Sequence, residues 1–364
     1  MNTLHVDLGR TWRGGQKQVW LLLRGLRTRG HGAELLAPRD SPLARRCLAE
    51  GFPVHAVGTH AARLQAAYRL RRRLAQERFE IVHAHDAHSL TAAWLARVHC
   101  RTSVVASRRL AYPLQPGPVA LSRYRVARRV LAVSRFVEES TIRSGLSPDQ
   151  VEVVYDGVEL PPFPAPRARL EARARWGAAP DQPILGCVGY LLPEKGQEIL
   201  LRALPAVLAE FPSCRLLLAG DGPSRPQLER LARELGVEPA VQFTGFVDAV
   251  EQVYAALDVF LFPSRAEPLG SSLLDAMARG LPIVATEGGA VSEVVEDNRN
   301  GLLVSERNPA AVATAILRPL RDPALAARLG AAARETIRQR FTADHMVERT
   351  LGVYQALTPA EACP

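Results

Sequence analysis

Cysteine is scarce in this sequence. The 364 residues include 5 cysteines, an odd number, and no two of them are spaced as Cys-x-x-Cys. Neither a disulfide framework nor a structural zinc site is therefore expected, and reduced thiols in a cytoplasmic protein are the plain interpretation. Long apolar runs are lacking too, since no stretch approaches the roughly 20 uncharged apolar residues of a membrane-spanning helix. Residues 1–7 lack the basic start and apolar stretch of a signal peptide, and we expect a first β-strand there.

Lysine is also scarce, with only Lys17 and Lys195 among 46 basic residues. The charge is uneven: residues 1–155 carry 25 basic and 11 acidic side chains, a net +14, whereas residues 156–364 carry a net −5. This asymmetry predicts that the two halves meet different partners. The basic runs could face an anionic membrane surface or an acidic acceptor, or could be solvated helix faces in an arginine-rich protein. A nucleic acid partner is not expected.

The chain alternates strand-like apolar runs with helical apolar spacings, and it does so twice. Such alternation predicts parallel sheets with helices on both faces, and 364 residues suggest two domains. The pattern breaks around residues 157–182, and we interpret the densest proline stretch there, residues 161–166, as a linker. We therefore predict an α/β protein in which two Rossmann-like, doubly wound domains, residues 1–158 and 159–340, face each other across a cleft.

Two strand ends in the first half carry candidate ligand-binding residues. Gly14 and Gly15 follow the first strand and open a helix, where the backbone can approach an anion closely; a tight structural turn is the alternative. The segment IVHAHDAH, residues 81–88, places His83 and His85 on one face of a strand. A metal site and hydrogen bonding to sugar hydroxyls are both compatible with these histidines. We favour a core position for His83 and a ligand role for His85.

The most specific signal lies in residues 262–280, FPSRAEPLGSSLLDAMARG. Glu267 falls in a loop, Gly270 and Ser271 start a helix, and Asp275 lies about one turn inside that helix. Two carboxylates beside a helix N-terminus suit a ligand with a diphosphate between two hydroxyl-bearing rings. Helix capping by the serine and the glutamate is the structural alternative.

A second loop of the same half, residues 189–196 (GYLLPEKG), contains Lys195 between a strand and a helix. Lysine offers a compact point charge for a phosphate. An ordinary helix-start residue is the alternative. A nicotinamide site is disfavoured, because the fingerprint Gly-x-Gly-x-x-Gly is missing after the first strand.

In this order the motifs resemble family 4 of the retaining glycosyltransferases, which have the GT-B architecture, and in particular bacterial members of the lipopolysaccharide or exopolysaccharide type. The landmarks are the early Gly-Gly loop, the His-Ala-His-Asp strand end, YDGV at 155–158, the 189–196 loop and the segment around Glu267. The resemblance spans nearly the whole chain and is most specific between residues 259 and 290. It implies that residues 341–364 form a helix that crosses back to the first domain.

The resemblance implies a metal-independent transferase that moves a sugar from a UDP- or GDP-linked donor to a lipid- or glycan-linked acceptor. No cofactor is expected, and the protein is placed in the cytoplasm or at the inner face of the membrane. Glu267 would contact the sugar hydroxyls, Lys195 would neutralise the donor phosphates, and His85 would lie near the reacting face of the sugar. The further candidates for donor binding are Gly14, Gly15, Gly189, Tyr190, Gly245, Phe246, Pro268, Leu269, Gly270, Ser271 and Asp275.

Three positions depart from the family pattern. Tyr190 stands where the family commonly has an arginine, Asp275 replaces a glutamate, and Asp156 replaces an asparagine before Gly157. These departures keep two alternatives open: a sugar-nucleotide epimerase on the same frame, and a degenerate protein that binds sugar nucleotides without catalysis.

Overall fold

The structure, a computed structural model, describes residues 1–58, 61–114, 117–163, 165–305 and 308–358. The chain divides into two compact units. Unit 1 is Met1–Gly157 together with the chain from Ala343 onward, and unit 2 is Val158–Thr342. Of the residues discussed above, Pro164, Cys363 and the end of the predicted C-terminal helix, residues 359–364, lie outside the described ranges.

Unit 1 contains a parallel sheet covered by helices. Its strands are β1 (Asn2–Val6), β2 (Gly32–Pro38), β3 (Val54–Val57), β4 (Ile81–Ala84), β5 (Ser103–Arg108), β6 (Arg129–Ala132) and β7 (Val151–Val153). Its first helices are α1 (Gly14–Thr28), α2 (Pro42–Ala49), α3 (Ala62–Gln76), α4 (Ala87–Leu95), α5 (Pro118–Arg125) and α6 (Arg135–Arg143). The strand order is β3-β2-β1-β4-β5-β6-β7. Most strand residues are buried, as in parallel sheets covered on both faces.

Unit 2 repeats the arrangement. Its strands are β8 (Ile184–Val188), β9 (Arg215–Ala219), β10 (Val241–Gly245), β11 (Val259–Phe262), β12 (Ile283–Thr286) and β13 (Leu302–Val304). Its helices are α7 (Pro166–Arg175), α8 (Gln197–Glu210), α9 (Arg225–Glu234), α10 (Glu251–Ala256), α11 (Ser271–Ala278), α12 (Val291–Val294), α13 (Pro309–Arg321) and α14 (Pro323–Arg340). The parallel strands follow the order β10-β9-β8-β11-β12-β13. Two Rossmann-like sheets confirm the predicted fold class.

The last helix, α15 (Ala343–Leu357), packs on α1 of unit 1. The approach is close: a Cβ atom on Gly25 would lie 2.4 Å from Val347 Cγ2, so only glycine fits at that position. Tyr354 of this helix is fully buried. Within the described part of the chain, none of the helices combines the length and the apolar character needed to cross a membrane.

The region around the proline stretch, where the strand–helix pattern breaks, contains helix α7, which begins at Pro166, the last of the clustered prolines. Proline disrupts helix interiors, yet Pro166 occupies the first turn of α7, where a missing N–H costs nothing. The helix is held by Arg173, whose side chain is 2% exposed and whose Nη1 donates to Asp258 at 3.1 Å. Strands β7 and β13 have only three residues each, which gives too little pattern to be recognised from the sequence.

Strand order identifies one edge in each sheet as the natural ligand site. In open parallel sheets, ligands bind beyond the carboxyl ends of the strands, where the strand order reverses. The reversal falls between β1 and β4 in unit 1 and between β8 and β11 in unit 2. The predicted catalytic candidates follow these strands: His85 comes after β4, Lys195 after β8 and Glu267 after β11.

Candidate functional site

Lys195 and Glu267 meet at the reversal point of unit 2. Lys195 Nζ lies 2.7 Å from Glu267 Oε2, and Ser264 Oγ donates to the same oxygen at 2.8 Å. The glutamate side chain is 8% exposed, whereas the lysine side chain is 30% exposed. A buried carboxylate needs such partners, and none of the described residues forms a hydrogen bond to its other oxygen. Ser264 was not predicted, although it lies three residues before the glutamate in the same motif.

The backbone around Glu267 is tightly supported. Its carbonyl oxygen accepts from Ala290 N at 2.8 Å. Gly289 has a φ of 61°, and a Cβ atom there would lie 2.2 Å from Glu267 O. The left-handed conformation and the close approach both require glycine. The loop after β12 therefore fixes the position of the glutamate.

Helix α11 begins beside this pair with an open N-terminus. Its N-cap, Gly270, has a φ of 101° and no side-chain cap, and there is no acidic residue in the first turn. The alternative of capping by Ser271 and Glu267 is therefore wrong. Within the described part of the chain no side chain caps the first N–H groups of this helix, and such groups can bind an anion.

Asp275 lies further along α11 and is 9% exposed. Its Oδ1 is 3.5 Å from Arg279 Nη1, and the Arg279 guanidinium lies 4.8 Å from the ring centre of Tyr254. Burial, together with the charge of Asp275, raises the pKa of the Tyr254 hydroxyl well above its ordinary value. The aspartate is thus paired with Arg279, the C-cap residue of the same helix, which was not among the predicted residues.

The other predicted donor residues of unit 2 lie at the carboxyl ends of β8, β10 and β11 or in the loops that follow them. Gly189 donates its N–H to Ala219 O, and Tyr190 is 41% exposed. Gly245 ends β10, and Phe246 is 65% exposed. The remaining pair precedes α11: half-buried Pro268 and buried Leu269. All of them lie at or beyond the carboxyl ends of parallel strands.

In unit 1, three imidazoles form a buried cluster at the reversal point. His5 Nδ1 lies 3.0 Å from His85 Nε2, and His5 Nε2 lies 3.0 Å from Thr3 Oγ1. His83 Nδ1 is 2.6 Å from Tyr354 Oη, and its Nε2 is 2.8 Å from Ser107 Oγ. Burial lowers the pKa of His5 to about 3.

This cluster has the composition of a metal site, since one ring nitrogen from each of His5, His83 and His85 lies within 4.8 Å of the others. Hydrogen bonds already involve five of the six ring nitrogens. Burial also lowers the pKa of His83 and His85 well below the ordinary value, with smaller contributions from the neighbouring imidazoles and from Arg109. The arrangement is that of a neutral hydrogen-bonded network. His83 has the predicted core position, and His85 is 5% exposed.

Gly14 and Gly15 form the first turn of α1, which has no side-chain cap and no acidic residue in that turn. A Cβ atom on Gly15 would lie 4.0 Å from Arg109 Cδ. Arg109 Nε donates to Asp156 at 2.8 Å, while Arg109 Nη1 is buried without a hydrogen-bond partner in the described residues. This arginine was not among the predicted residues. Its position after β5 is the only sequence signal that could have indicated it.

Asp7, at the end of β1, is a second residue that the sequence motifs did not single out. It is 2% exposed and accepts from Gly9 N at 2.9 Å and from Gln16 Nε2 at 3.2 Å. Burial and the nearby charge of Asp86 raise its pKa to about 6. The carboxyl therefore titrates just below neutral pH.

Both halves of the chain match known families. Residues 12–160 match the pattern described as Glycosyltransferase Family 4, and residues 168–336 match the one described as Glycosyl transferases group 1. The chain is 32% identical over 293 residues to the GDP-mannose-dependent alpha-(1-6)-phosphatidylinositol monomannoside mannosyltransferase of Mycobacterium tuberculosis. That alignment covers 74% of this chain and 76% of the relative.

Two further comparisons extend this result. The chain is 32% identical over 233 residues to an uncharacterized glycosyltransferase of Methanocaldococcus jannaschii; the alignment covers 62% of this chain and spans 60% of that protein's length. The crystal structure of Anabaena Alr3699/HepE in complex with UDP and glucose matches with a TM-score of 0.86 at 23% identity. The structural alignment covers 98% of this chain and 100% of that chain, and it shows that the two proteins share a fold.

The paired Rossmann-like sheets, each with its candidate residues at the point of strand reversal, define the class: the protein has the GT-B architecture. The family follows from the sequence comparisons. The chain belongs to family 4 of the glycosyltransferases.

Proposed function

We propose that the protein is a retaining glycosyltransferase that uses a nucleotide-diphosphate sugar. The observation that carries the proposal is the Lys195–Glu267 pair beside the uncapped N-terminus of α11. A cation, free N–H groups and a buried carboxylate match a diphosphate joined to a hydroxyl-bearing ring. The relatives support UDP and GDP as candidate nucleotides, since one is described as GDP-mannose-dependent and another was crystallised with UDP.

In this proposal Glu267 accepts hydrogen bonds from the hydroxyls of the donor sugar. Lys195 and the α11 N–H groups stabilise the diphosphate as it takes up negative charge. The backbone at Gly270 and Ser271 binds sugar and phosphate, and Asp275 reaches toward the ribose. The predicted contacts of His85, Gly14 and Gly15 with the donor are retained.

The proposed reaction proceeds without a covalent enzyme intermediate. The acceptor hydroxyl attacks the anomeric carbon on the face of the leaving group, and the bond between that carbon and the phosphate oxygen breaks. The acceptor proton passes to a donor phosphate oxygen, so the nucleoside diphosphate leaves and the anomeric configuration is retained. Positioning and electrostatic stabilisation supply the rate enhancement. The acceptor is proposed to be lipid- or glycan-linked, of the lipopolysaccharide or exopolysaccharide kind.

The test is donor turnover with and without an acceptor. Purified protein is incubated with UDP- and GDP-sugars and a lipid-linked glycan extract, and nucleoside diphosphate release is followed. We expect release that depends on the acceptor and a product of retained configuration by proton NMR. Glu267→Gln should lower the rate by at least about 100-fold, because the charge that orients the sugar is lost. Wild-type rates in that variant would refute the role of Glu267.

The same assay separates the two alternatives. An epimerase would change the donor sugar without any acceptor. A degenerate binding protein would bind the donor without turnover, and the departures at Tyr190 and Asp275 are the features that favour it.

Metal independence is part of the proposal. The sequence contains no Asp-x-Asp motif, and Lys195 with the α11 N-terminus is proposed to carry the charge-stabilising role. Transfer should therefore keep at least about half its rate in excess chelator. Loss of activity that Mg²⁺ or Mn²⁺ restores would contradict this part.

We also propose that unit 1 docks on an anionic membrane surface at the inner face of the membrane, where the acceptor would be presented. Helix α3 exposes Leu64 and Tyr68, each 64% exposed and one turn apart, among exposed arginines such as Arg69. An apolar ridge flanked by arginines is typical of interfacial helices.

Vesicle sedimentation tests the membrane proposal. Binding to vesicles with anionic lipid should weaken steeply as salt rises. Leu64→Ser combined with Tyr68→Ser should reduce it further, whereas Leu170→Ser, on α7 of unit 2 and 48% exposed, should not. Equal effects of both sets of variants, or binding that salt leaves unchanged, would contradict the proposal.

A further inference from the structure

His85 has one ring nitrogen that the surrounding network does not use. Its side chain is almost entirely buried, at 5% exposure, and Nε2 is hydrogen-bonded to His5. Its Nδ1 is buried and has no hydrogen-bond partner within the described residues. Buried polar atoms are rarely left unpaired. This nitrogen therefore requires either a bound group or a specific reason for being bare.

The direction of the hydrogen bonds can be deduced from the far end of the chain of contacts. Thr3 Oγ1 lies 2.9 Å from the carbonyl oxygen of Gly32, which can only accept. The hydroxyl hydrogen must lie between these two oxygens, because two oxygens so close without a proton would repel each other. Thr3 can then only accept from His5, whose Nε2 lies 3.0 Å away.

The role of Thr3 as an acceptor also fixes which nitrogen of His5, and then which nitrogen of His85, carries the proton. A neutral imidazole that carries its proton on Nε2 has a lone pair on Nδ1. His5 Nδ1 is therefore an acceptor, and His85 must donate to it from Nε2 across 3.0 Å. The proton of His85 is thus committed to Nε2, and Nδ1 keeps its lone pair.

This order of donors and acceptors exists only for neutral imidazoles, and the surroundings of the three rings meet this condition. Thr3 and His5 are fully buried. Burial is the main cause that lowers the pKa of His85 well below the ordinary value, with His83, His5 and Arg109 adding to it. Buried cations without a carboxylate partner are costly. The neutral form is the one that persists at neutral pH.

We infer that Thr3 and His5 are positioning residues which fix the tautomer of His85, so that Nδ1 is a bare acceptor for a substrate hydroxyl group. This rests on the proposed function, in which His85 lies near the reacting face of the sugar. The hydroxyl can come from the donor sugar or from the acceptor. In either case the bond depends on a backbone carbonyl three hydrogen bonds away, at Gly32. No proton is transferred; the network only selects which nitrogen accepts.

The first test is spectroscopic and uses the intact wild-type protein labelled with ¹⁵N-histidine. Long-range proton–nitrogen correlation spectra distinguish a protonated ring nitrogen from a bare one. His85 is assigned by the loss of its signals in His85→Gln. We expect a neutral ring with the proton on Nε2 throughout neutral pH. A proton on Nδ1, or a cationic ring, would overturn the inference whatever the activity of the enzyme.

The second test changes the relay without touching substrate. Thr3→Val removes the hydroxyl at nearly constant volume, and Thr3→Ser is the matched control that keeps it. Without its acceptor, His5 is free to move its proton to Nδ1, and the tautomer of His85 should become mixed or reversed. We expect kcat to fall at least about tenfold in T3V while the donor KM stays within about twofold. T3S should resemble the wild type in both respects.

The outcomes separate this inference from the proposed function. If His85→Ala retains full transfer, the role of His85 in the reaction fails, while the spectra still report on the relay. If T3V has the reversed tautomer but the kcat of T3S, the positioning role is refuted. If turnover is donor-alone epimerisation, the same kinetic comparison applies to that reaction, and a donor hydroxyl becomes the partner of Nδ1. If the difference in kcat between T3V and T3S disappears only with an acceptor analogue that lacks one hydroxyl group, the acceptor is the source of the hydroxyl that binds Nδ1.

Discussion

Replacing Lys195 by methionine is the most informative perturbation of the site in unit 2. The change removes the charge 2.7 Å from Glu267 and leaves a carboxylate that is only 8% exposed, with Ser264 as its remaining partner. Breaking a fully buried ion pair costs about 3–5 kcal/mol. Lys195 is 30% exposed, so water can enter the vacated space, and we expect about 2–3 kcal/mol. For a unit of this size that corresponds to a decrease in melting temperature of roughly 4–12 °C.

Thermal and urea unfolding measure this effect, and the chain provides a matched control. Arg202 and Glu198 form an exposed pair on α8, with side chains 47% and 43% exposed. Arg202→Met should therefore cost only about 0.3–0.5 kcal/mol. The double variant K195M/E267Q should be more stable than K195M alone, because the unpaired charge is gone. Two results would refute the proposed coupling of this pair: K195M is as stable as Arg202→Met, or the effects of K195M and E267Q on the free energy of unfolding are additive in the double variant.

Three other predictions concern the remaining parts of the site. Asp7→Asn should be more stable than the wild type at pH 7, because the pKa of Asp7 is raised to about 6 in the folded protein. The stabilising contribution of the protonated carboxyl group is complete below about pH 4 and is lost as the pH rises through 6. The difference, on the order of 2–3 kcal/mol, should appear between pH 4 and 6.5 in urea titrations. Gly289→Ala should cost at least about 2 kcal/mol in thermal unfolding and abolish donor binding, because its Cβ would lie 2.2 Å from Glu267 O. Tyr190→Arg should tighten donor binding about fivefold to tenfold in calorimetry, since Tyr190 is 41% exposed and an arginine there adds a phosphate cation.

Each of these has a control or a contradicting result. A pH-independent difference between D7N and the wild type would show that Asp7 titrates normally. Gly236 also has a left-handed backbone, with φ 69°, but a Cβ atom added there would meet no other atom of the described residues within 4 Å. Gly236→Ala thus isolates the cost of the backbone conformation, and equal costs at both glycines would exclude the steric argument. Unchanged or weaker donor binding by Y190R would mean that no phosphate approaches residue 190.

The fold and the unit 2 residues of the candidate site could be predicted from the sequence, because the relevant signals are local. Buried parallel strands are continuous apolar segments, so the alternation of strands and helices is visible in the sequence. Glu267 and Gly270 lie within one motif, so their placement before α11 could be predicted. The start of α7 at Pro166 is not evident from the sequence, because a cluster of prolines does not show whether one of them lies in the first turn of a helix or would interrupt its interior.

The rest of the site depends on partners that are distant in sequence. His5 and His85 are 80 residues apart, and the Tyr354 hydroxyl that contacts His83 is 271 residues from it. Arg109 and Asp156 are separated by 47 residues. No periodicity or motif reports such pairs, because they follow from strand order and from the return of α15 to unit 1. The roles of the individual site residues in donor binding stay predictions.

Isothermal titration calorimetry with a panel of UDP- and GDP-sugars, on the wild type and on Glu267→Gln in parallel, tests the central claim most directly. The account predicts saturable binding of at least one nucleotide sugar with a stoichiometry of about one, and at least about tenfold weaker binding by the variant. Absence of binding for every nucleotide sugar, or equal affinities for both proteins, would contradict it.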